Sequence, residues 1–124
     1  MPDTSRISKG RRGENIAAEY LVRQGFVLLE RNYRRLGCEA DIIAMDGETT
    51  VFIEVKARSS RTVGLGREAV TYAKQRNIIK AASVYLTENG LWDTPVRFDV
   101  AEVDLVECAV EYIKNAFQAR FFFI

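Results

Sequence analysis

The chain contains no histidine. That excludes His-based acid–base catalysis, Ser-His-Asp triads and every zinc site that needs an imidazole. Only two cysteines occur, Cys38 and Cys108, far apart and at no metal-ligand spacing. They read as free thiols of a reducing compartment with packing roles, and this favours a cytoplasmic protein. No long apolar run is present, and the opening MPDTSRISKGRRGEN is polar and basic. Neither a secretory signal nor a transmembrane helix is expected, and no membrane partner. Internal repeats and low-complexity segments are absent as well.

What is there fits one ordinary domain, 1–124, with 48% hydrophobic residues over 124 positions. The net charge of +1 hides an uneven layout: residues 1–35 hold eight Arg/Lys against four Asp/Glu. Between Lys56 and Lys80 stand seven basic residues and one acidic, Glu68. Basic zones around an acidic centre suit a polyanion handled near a metal, and equally suit a mixed solvated surface. Residues 1–12 read as a flexible basic arm. GENIAAEYLVRQG, 13–25, predicts a helix from the spacing of Ile16, Ala17, Tyr20 and Leu21, with Gly25 as the stop. Glu14 borders that apolar stripe. Strands follow at FVLLERNYR, CEADIIAM and TTVFIEVKA, with the hairpin signal Asp46-Gly47 between the last two. A helix from about Arg67 to Leu86 leads to a fourth strand, VRFDVAEVDLV. Residues 106–124 form a C-terminal extension with a short helix expected near 110–117. The order is α-β-β-β-α-β, an α/β fold with a mixed sheet flanked by helices.

The third strand carries two full charges. Strand alternation puts Glu54 and Lys56 on one face with Phe52, while Val51, Ile53 and Val55 take the other. Glu39, Asp41, Ile43 and Met45 share a face of the preceding strand. A loop made of Asp46 and Gly47 pairs Asp41 with Phe52, and a four-residue loop pairs it with Glu54. Either register brings Asp41 and Glu54 to the same side of the sheet. Two such carboxylates repel unless compensated. Lys56 offers one positive charge. Magnesium or manganese would offer two, held by Asp41, Glu54 and the backbone carbonyl of Val55. The competing reading of Glu-x-Lys is a solvated ion pair. Arg11, Arg12, Arg34, Arg35, Arg58, Arg61 and Arg67 are candidates for phosphate contacts, or plain surface charge.

Asp41, twelve residues, then Glu54-x-Lys56 in this frame resembles the PD-(D/E)XK nuclease superfamily, with its restriction-endonuclease-like fold. More closely, the chain is similar to the YraN-like family of small bacterial proteins, relatives of archaeal Holliday-junction resolvases. The resemblance rests on GRRGENIAAEYLVRQGF, RNYRRLGCEADIIAMD, VFIEVKARSS, GREAVTYAKQRNIIKAASVYL and VRFDVAEV. Ala40 stands where the superfamily usually has proline before the aspartate. The resemblance implies metal binding by Asp41 and Glu54, a catalytic role for Lys56, and a second-metal or outer role for Glu14. It gives Lys74 a phosphate-facing position; with Arg58, Arg35 and Arg12 from the charge layout, Lys74 makes up the expected nucleic-acid contacts. The implied activity is magnesium-dependent phosphodiester hydrolysis in nucleic acid, DNA ahead of RNA and including branched DNA, with a homodimer allowed. The alternative is a nucleic-acid-binding protein that keeps the nuclease fold without meaningful catalysis.

Overall fold

A computed structural model describes residues 5–59 and 70–119, with side chains from residue 10 onward. The order is α1 (Ser5–Arg23), β1 (Val27–Arg35), β2 (Cys38–Asp46), β3 (Thr49–Arg58), α2 (Tyr72–Asn89), β4 (Val96–Asp104) and β5 (Ala109–Phe117). The strands lie in sequence order in one sheet. Only β3 and β4 run parallel; the other neighbours are antiparallel. The single parallel pair is the one joined through α2, because a parallel connection needs a crossover long enough to return. The expected α-β-β-β-α-β order and mixed sheet are therefore present.

Each face of the sheet has its own core. Ile42, Ala44, Val51, Ile53, Ala101 and Val103 pack under Ala17, Ala18 and Leu21 of α1. Ile43, Phe52 and Phe98 pack under Ile78, Ala82 and Leu86 of α2. Adjacent strand residues thus feed opposite cores, which is why β2 and β3 read as nearly unbroken apolar runs. Both helices end in the way their glycines suggest. At α1, Gly25 has φ 91, its N–H donates to Val22 O, and the Phe26 N–H donates to Leu21 O. These two bonds close a Schellman motif. At α2, Thr71 accepts from the Lys74 N–H, and Gly90 at φ 64 ends the helix.

Three expectations are corrected. Residues 110–117 form β5 rather than a helix. Val110, Ile113 and Phe117 do recur at helical spacing, but β4 is buried along most of its length, and its main-chain groups need a partner. Strand β5 supplies it. Residues 5–12 are not a loose arm: they are the first turns of α1, and the Arg12 Nη2 donates to Leu105 O at 2.5 Å. In the β2–β3 hairpin, Asp46 is itself paired, with Thr49, so the loop residues are Gly47 and Glu48. Arg61, Arg67, Ala69 and the closing RFFFI lie outside the described residues.

Helix α1 approaches the sheet most closely at Gly13. A methyl group there would lie 2.5 Å from Ala57 Cβ on β3. The alanine methyl has no rotamer to escape into, so the backbones would have to part. Gly13→Ala should gain helix propensity and lose more through overpacking, a net destabilisation of about 1–2 kcal/mol. Chemical denaturation measures it; an unchanged or raised stability would show that the approach is not tight.

Candidate metal and phosphodiester site

The β2–β3 hairpin brings the acidic residues together. Met45 pairs with Thr50 and Ile42 with Ile53, and the same register carried one residue further sets Asp41 opposite Glu54. Both belong to the face of Ile43 and Phe52, whose side chains fill the α2-side core. The apolar stack thus ends in two carboxyls. Glu54 is buried, 7% exposed, and Asp41 is half-buried. The Val55 N–H donates to Asp41 Oδ2 at 2.8 Å. Val55, whose carbonyl is the expected third oxygen, also touches the site through this N–H.

Burial is the main cause that pushes the Asp41 carboxyl up to about 7; the Glu54 charge adds to it, and the Val55 N–H works the other way. Glu54 Oε1 has two ammonium neighbours, Lys74 Nζ at 2.9 Å and Lys56 Nζ at 3.9 Å. The tight partner of Glu54 is therefore Lys74 at the start of α2, not Lys56 in its own strand. Lys74 is held above the usual lysine value by its hydrogen bond to Glu54. Lys56 is pushed below it, first by burial and then by Lys74.

Glu14 reaches the edge of this site from α1 without joining the pair. Its Oε1 accepts from Arg31 Nε at 2.9 Å and from Asn32 Nδ2 at 3.0 Å. Its charge is still felt at Asp41, which makes it an outer residue. Two clefts meet here. One, of about 760 Å³, has Arg34, Arg35, Glu54, Lys74 and Asn77 in its walls. The other, of about 720 Å³, has Arg11, Glu14, Arg31, Arg34 and Asp41. The Arg34–Glu39 ion pair, 3.2 Å and largely exposed, belongs to both.

The basic candidates divide sharply. Arg12 is committed to the main chain at Leu105. Arg58 pairs with Glu102 at 3.1 Å. Arg35 lies over the Tyr33 ring and 3.7 Å from Glu88. Glu102 was not among the expected residues. It lies opposite Lys56 in the β3–β4 register, it is buried, and its Oε2 has no hydrogen-bond partner among the described residues. The signal was available: Phe98, Val100 and Glu102 alternate onto one face of β4. Reading it required knowing that β4 joins β3 in parallel.

The donor set fits a hard divalent ion. Two like-charged carboxyls lie side by side, and magnesium is commonly bound through one or two carboxylates with waters retained. Among the described residues no three His, Cys, Asp or Glu side chains gather into a metal-holding group, so the pair would bind an ion with water completing its shell.

A second buried aspartate shows what a structural carboxylate looks like in this protein. Asp99 is 0% exposed and accepts from Arg97 Nε and Nη2, both at 2.9 Å, from Tyr112 Oη at 2.6 Å and from the Asn115 N–H at 2.8 Å. Its charge is answered on every side; that of Asp41 is opposed. Below its folded value of about 7 and above its unfolded 3.8, Asp41 holds a proton only when folded. Its contribution to stability is therefore lost as pH rises through about 7. Asp41→Asn should raise stability at pH 8 by about 1–3 kcal/mol, and the gain should fade toward pH 4. Asp99→Ala should cost about 3–5 kcal/mol by removing at once the acceptor of the Arg97 guanidinium, the Tyr112 hydroxyl and the Asn115 N–H, with Arg97 left only its 2.9 Å pair to Asp46. Urea unfolding at both pH values measures all three proteins; an Asp41→Asn variant that loses stability would mark Asp41 as a structural group.

Similarity to known proteins follows the same residues. The model of "Uncharacterised protein family UPF0102" matches residues 13–103, a span that holds Glu14, Asp41, Glu54, Lys56 and Lys74. A UPF0102 protein of Chlorobium chlorochromatii is 46% identical over 124 residues, covering 94% of this chain and 95% of the relative. One of Desulforapulum autotrophicum is 50% identical over 111 residues, covering 88% and 92%. One of Clostridioides difficile is 45% identical over 109 residues, covering 88% and 96%. With relatives this similar over nearly their whole length, the chain belongs to the UPF0102 family.

Proposed function

We propose that this protein is a metal-dependent nuclease that hydrolyses phosphodiester bonds in DNA. The observation that carries the reading is the Asp41–Glu54 pair: two carboxyls brought together at the end of a core, where burial and mutual repulsion oppose their ionisation. Such an arrangement works against the fold and gains its purpose when a cation is shared. Magnesium or manganese bound there would supply an activated water and draw charge from the phosphate.

The chain's own groups divide the remaining work. Val55 fixes Asp41 by its N–H, and Lys74 fixes Glu54 Oε1. Because Lys74 holds the short contact, Lys56 is left as a less committed ammonium at 3.9 Å, on the same face and partly desolvated. It would orient the attacking water or stabilise the charge that grows on the phosphate oxygens. Glu14, held by Arg31 and Asn32, would act from outside the pair. Arg34 is the arginine best suited to a phosphate, since its partner Glu39 is an exposed one. Arg12 and Arg58 serve the fold first.

The competing reading is a DNA-binding protein without meaningful catalysis, and Lys56 separates the two. A guanidinium keeps the charge but cannot copy a compact ammonium. Lys56→Arg should keep metal and DNA affinity and lose single-turnover cleavage by about 100-fold or more. Asp41→Asn and Glu54→Gln should lose magnesium or manganese binding in calorimetry while staying folded. Metal binding by the wild type without cleavage of duplex, branched or single-stranded DNA would establish the binder. An Arg variant that cleaves at the wild-type rate would reduce Lys56 to a counter-ion.

A further inference from the structure

The β1–β2 hairpin closes with two residues, Leu36 and Gly37, between the paired Arg35 and Cys38. Both have left-handed backbones, φ 54 and φ 78. Tight turns of this hand favour Asn, Asp or Gly at the first position, because a leucine Cβ crowds the following carbonyl there. Leu36 is also 88% exposed, the highest value among the large hydrophobics of the described residues. Neither backbone preference nor burial selects leucine at this place.

The turn is nonetheless held firmly. Asn77 of α2 donates Nδ2 to Gly37 O at 3.4 Å and accepts the Glu39 N–H on Oδ1 at 3.0 Å. The Cys38 thiol donates to Leu36 O at 3.7 Å. An unfavourable conformation braced from a neighbouring helix is the pattern of a residue kept for what it touches.

Its surroundings identify the partner. Leu36 lines the same cleft as Glu54, Lys74, Arg34 and Arg35. An apolar knob ringed by cations, beside a carboxylate pair suited to a metal, matches a polyanion whose interior is apolar. DNA has that chemistry, with phosphates outside and base faces within, and leucine is among the side chains that wedge between base steps. The exposed Arg34–Glu39 pair can open and give its guanidinium to a phosphate.

We propose that Leu36 is a wedge that enters DNA beside the phosphate that a metal at Asp41 and Glu54 would hold, and that it selects sites where a base step is already open. This rests on the nuclease reading above. Burial of one leucine is of the same order as the cost of unstacking one intact step, so a perfect duplex offers no net gain. A nick, a mismatch or a branch removes much of that cost, and the wedge then adds affinity.

The test uses the full chain with calcium in place of magnesium, so that a hard cation can bridge the carboxyl pair and the phosphate while binding is read, and a gel checks that the strands stay intact. Short duplexes are compared intact, nicked and as a four-way branch, with 2-aminopurine at the open step and a fluorophore for anisotropy. Leu36→Asn restores the preferred Asn-Gly turn and should unfold at a temperature at least as high as the wild type. It should bind intact duplex within about twofold of the wild type, lose about tenfold on nicked or branched DNA, and abolish the 2-aminopurine signal. Leu36→Met should retain both. If Leu36→Asn keeps the full preference for open sites, or the wild type shows no preference, the wedge is wrong and the nuclease reading stands. If the wild type binds none of these DNAs at any salt concentration, both readings fall.

Discussion

The register of the β2–β3 hairpin is the constraint on which the rest depends. With Gly47 and Glu48 as the loop, every pair down the ladder is set, and Asp41 arrives opposite Glu54. A shift of one residue would turn Asp41 to the α1 side and replace Ile43 with Ala44 in the core beneath α2. The apolar pairs Ile42–Ile53 and Ile43–Phe52 lock that register. Sheet stability and the geometry of the carboxyl pair are thus the same set of contacts.

Around that pair the two helices have different tasks. Helix α1 is pinned to the sheet by the Gly13–Ala57 approach and by Arg12 on Leu105, and it carries Glu14 to the edge of the site. Helix α2 begins at Thr71 and delivers Lys74 to Glu54 within its first turn. Farther along, its Asn77 braces the β1–β2 turn. One helix terminus therefore organises both the acidic pair and the hairpin tip. The contrast between Asp41 and Asp99 runs through the same sheet. Asp99 is answered by Arg97, Tyr112 and a main-chain N–H, and ties β4 to β5. Asp41 is held by one N–H, shares the Lys56 and Lys74 ammoniums with Glu54, and is opposed by the Glu54 charge. Asp99 is fully buried and satisfied, whereas Asp41 is half-buried beside a like charge, and that contrast distinguishes a structural carboxylate from one kept for a ligand.

Much of this was legible in the order of residues. Alternation in CEADIIAM and TTVFIEVKA located β2 and β3 and put Asp41 and Glu54 on one face, since a period of two leaves few choices. Other parts depend on partners distant in sequence. The apolar residues of β5 fit both the helical and the strand period, and the need of β4 for a partner decides between them. Glu102 became visible only with the parallel β3–β4 pairing. The engagement of Arg12 and Arg58 inside the fold cannot be read from charge counts, because a surface arginine and an anchored one look alike in sequence. Leu36 sits in RRLGC, where nothing local announces that its backbone turns left-handed.

The most direct test of the central claim is anomalous diffraction from a crystal soaked in manganese. A single strong peak is expected between the carboxyls of Asp41 and Glu54, at normal oxygen–manganese distances, with Lys74 displaced from Glu54 or retained on its outer side. A site free of anomalous signal, with Lys74 still closed on Glu54 at saturating manganese, would contradict that claim.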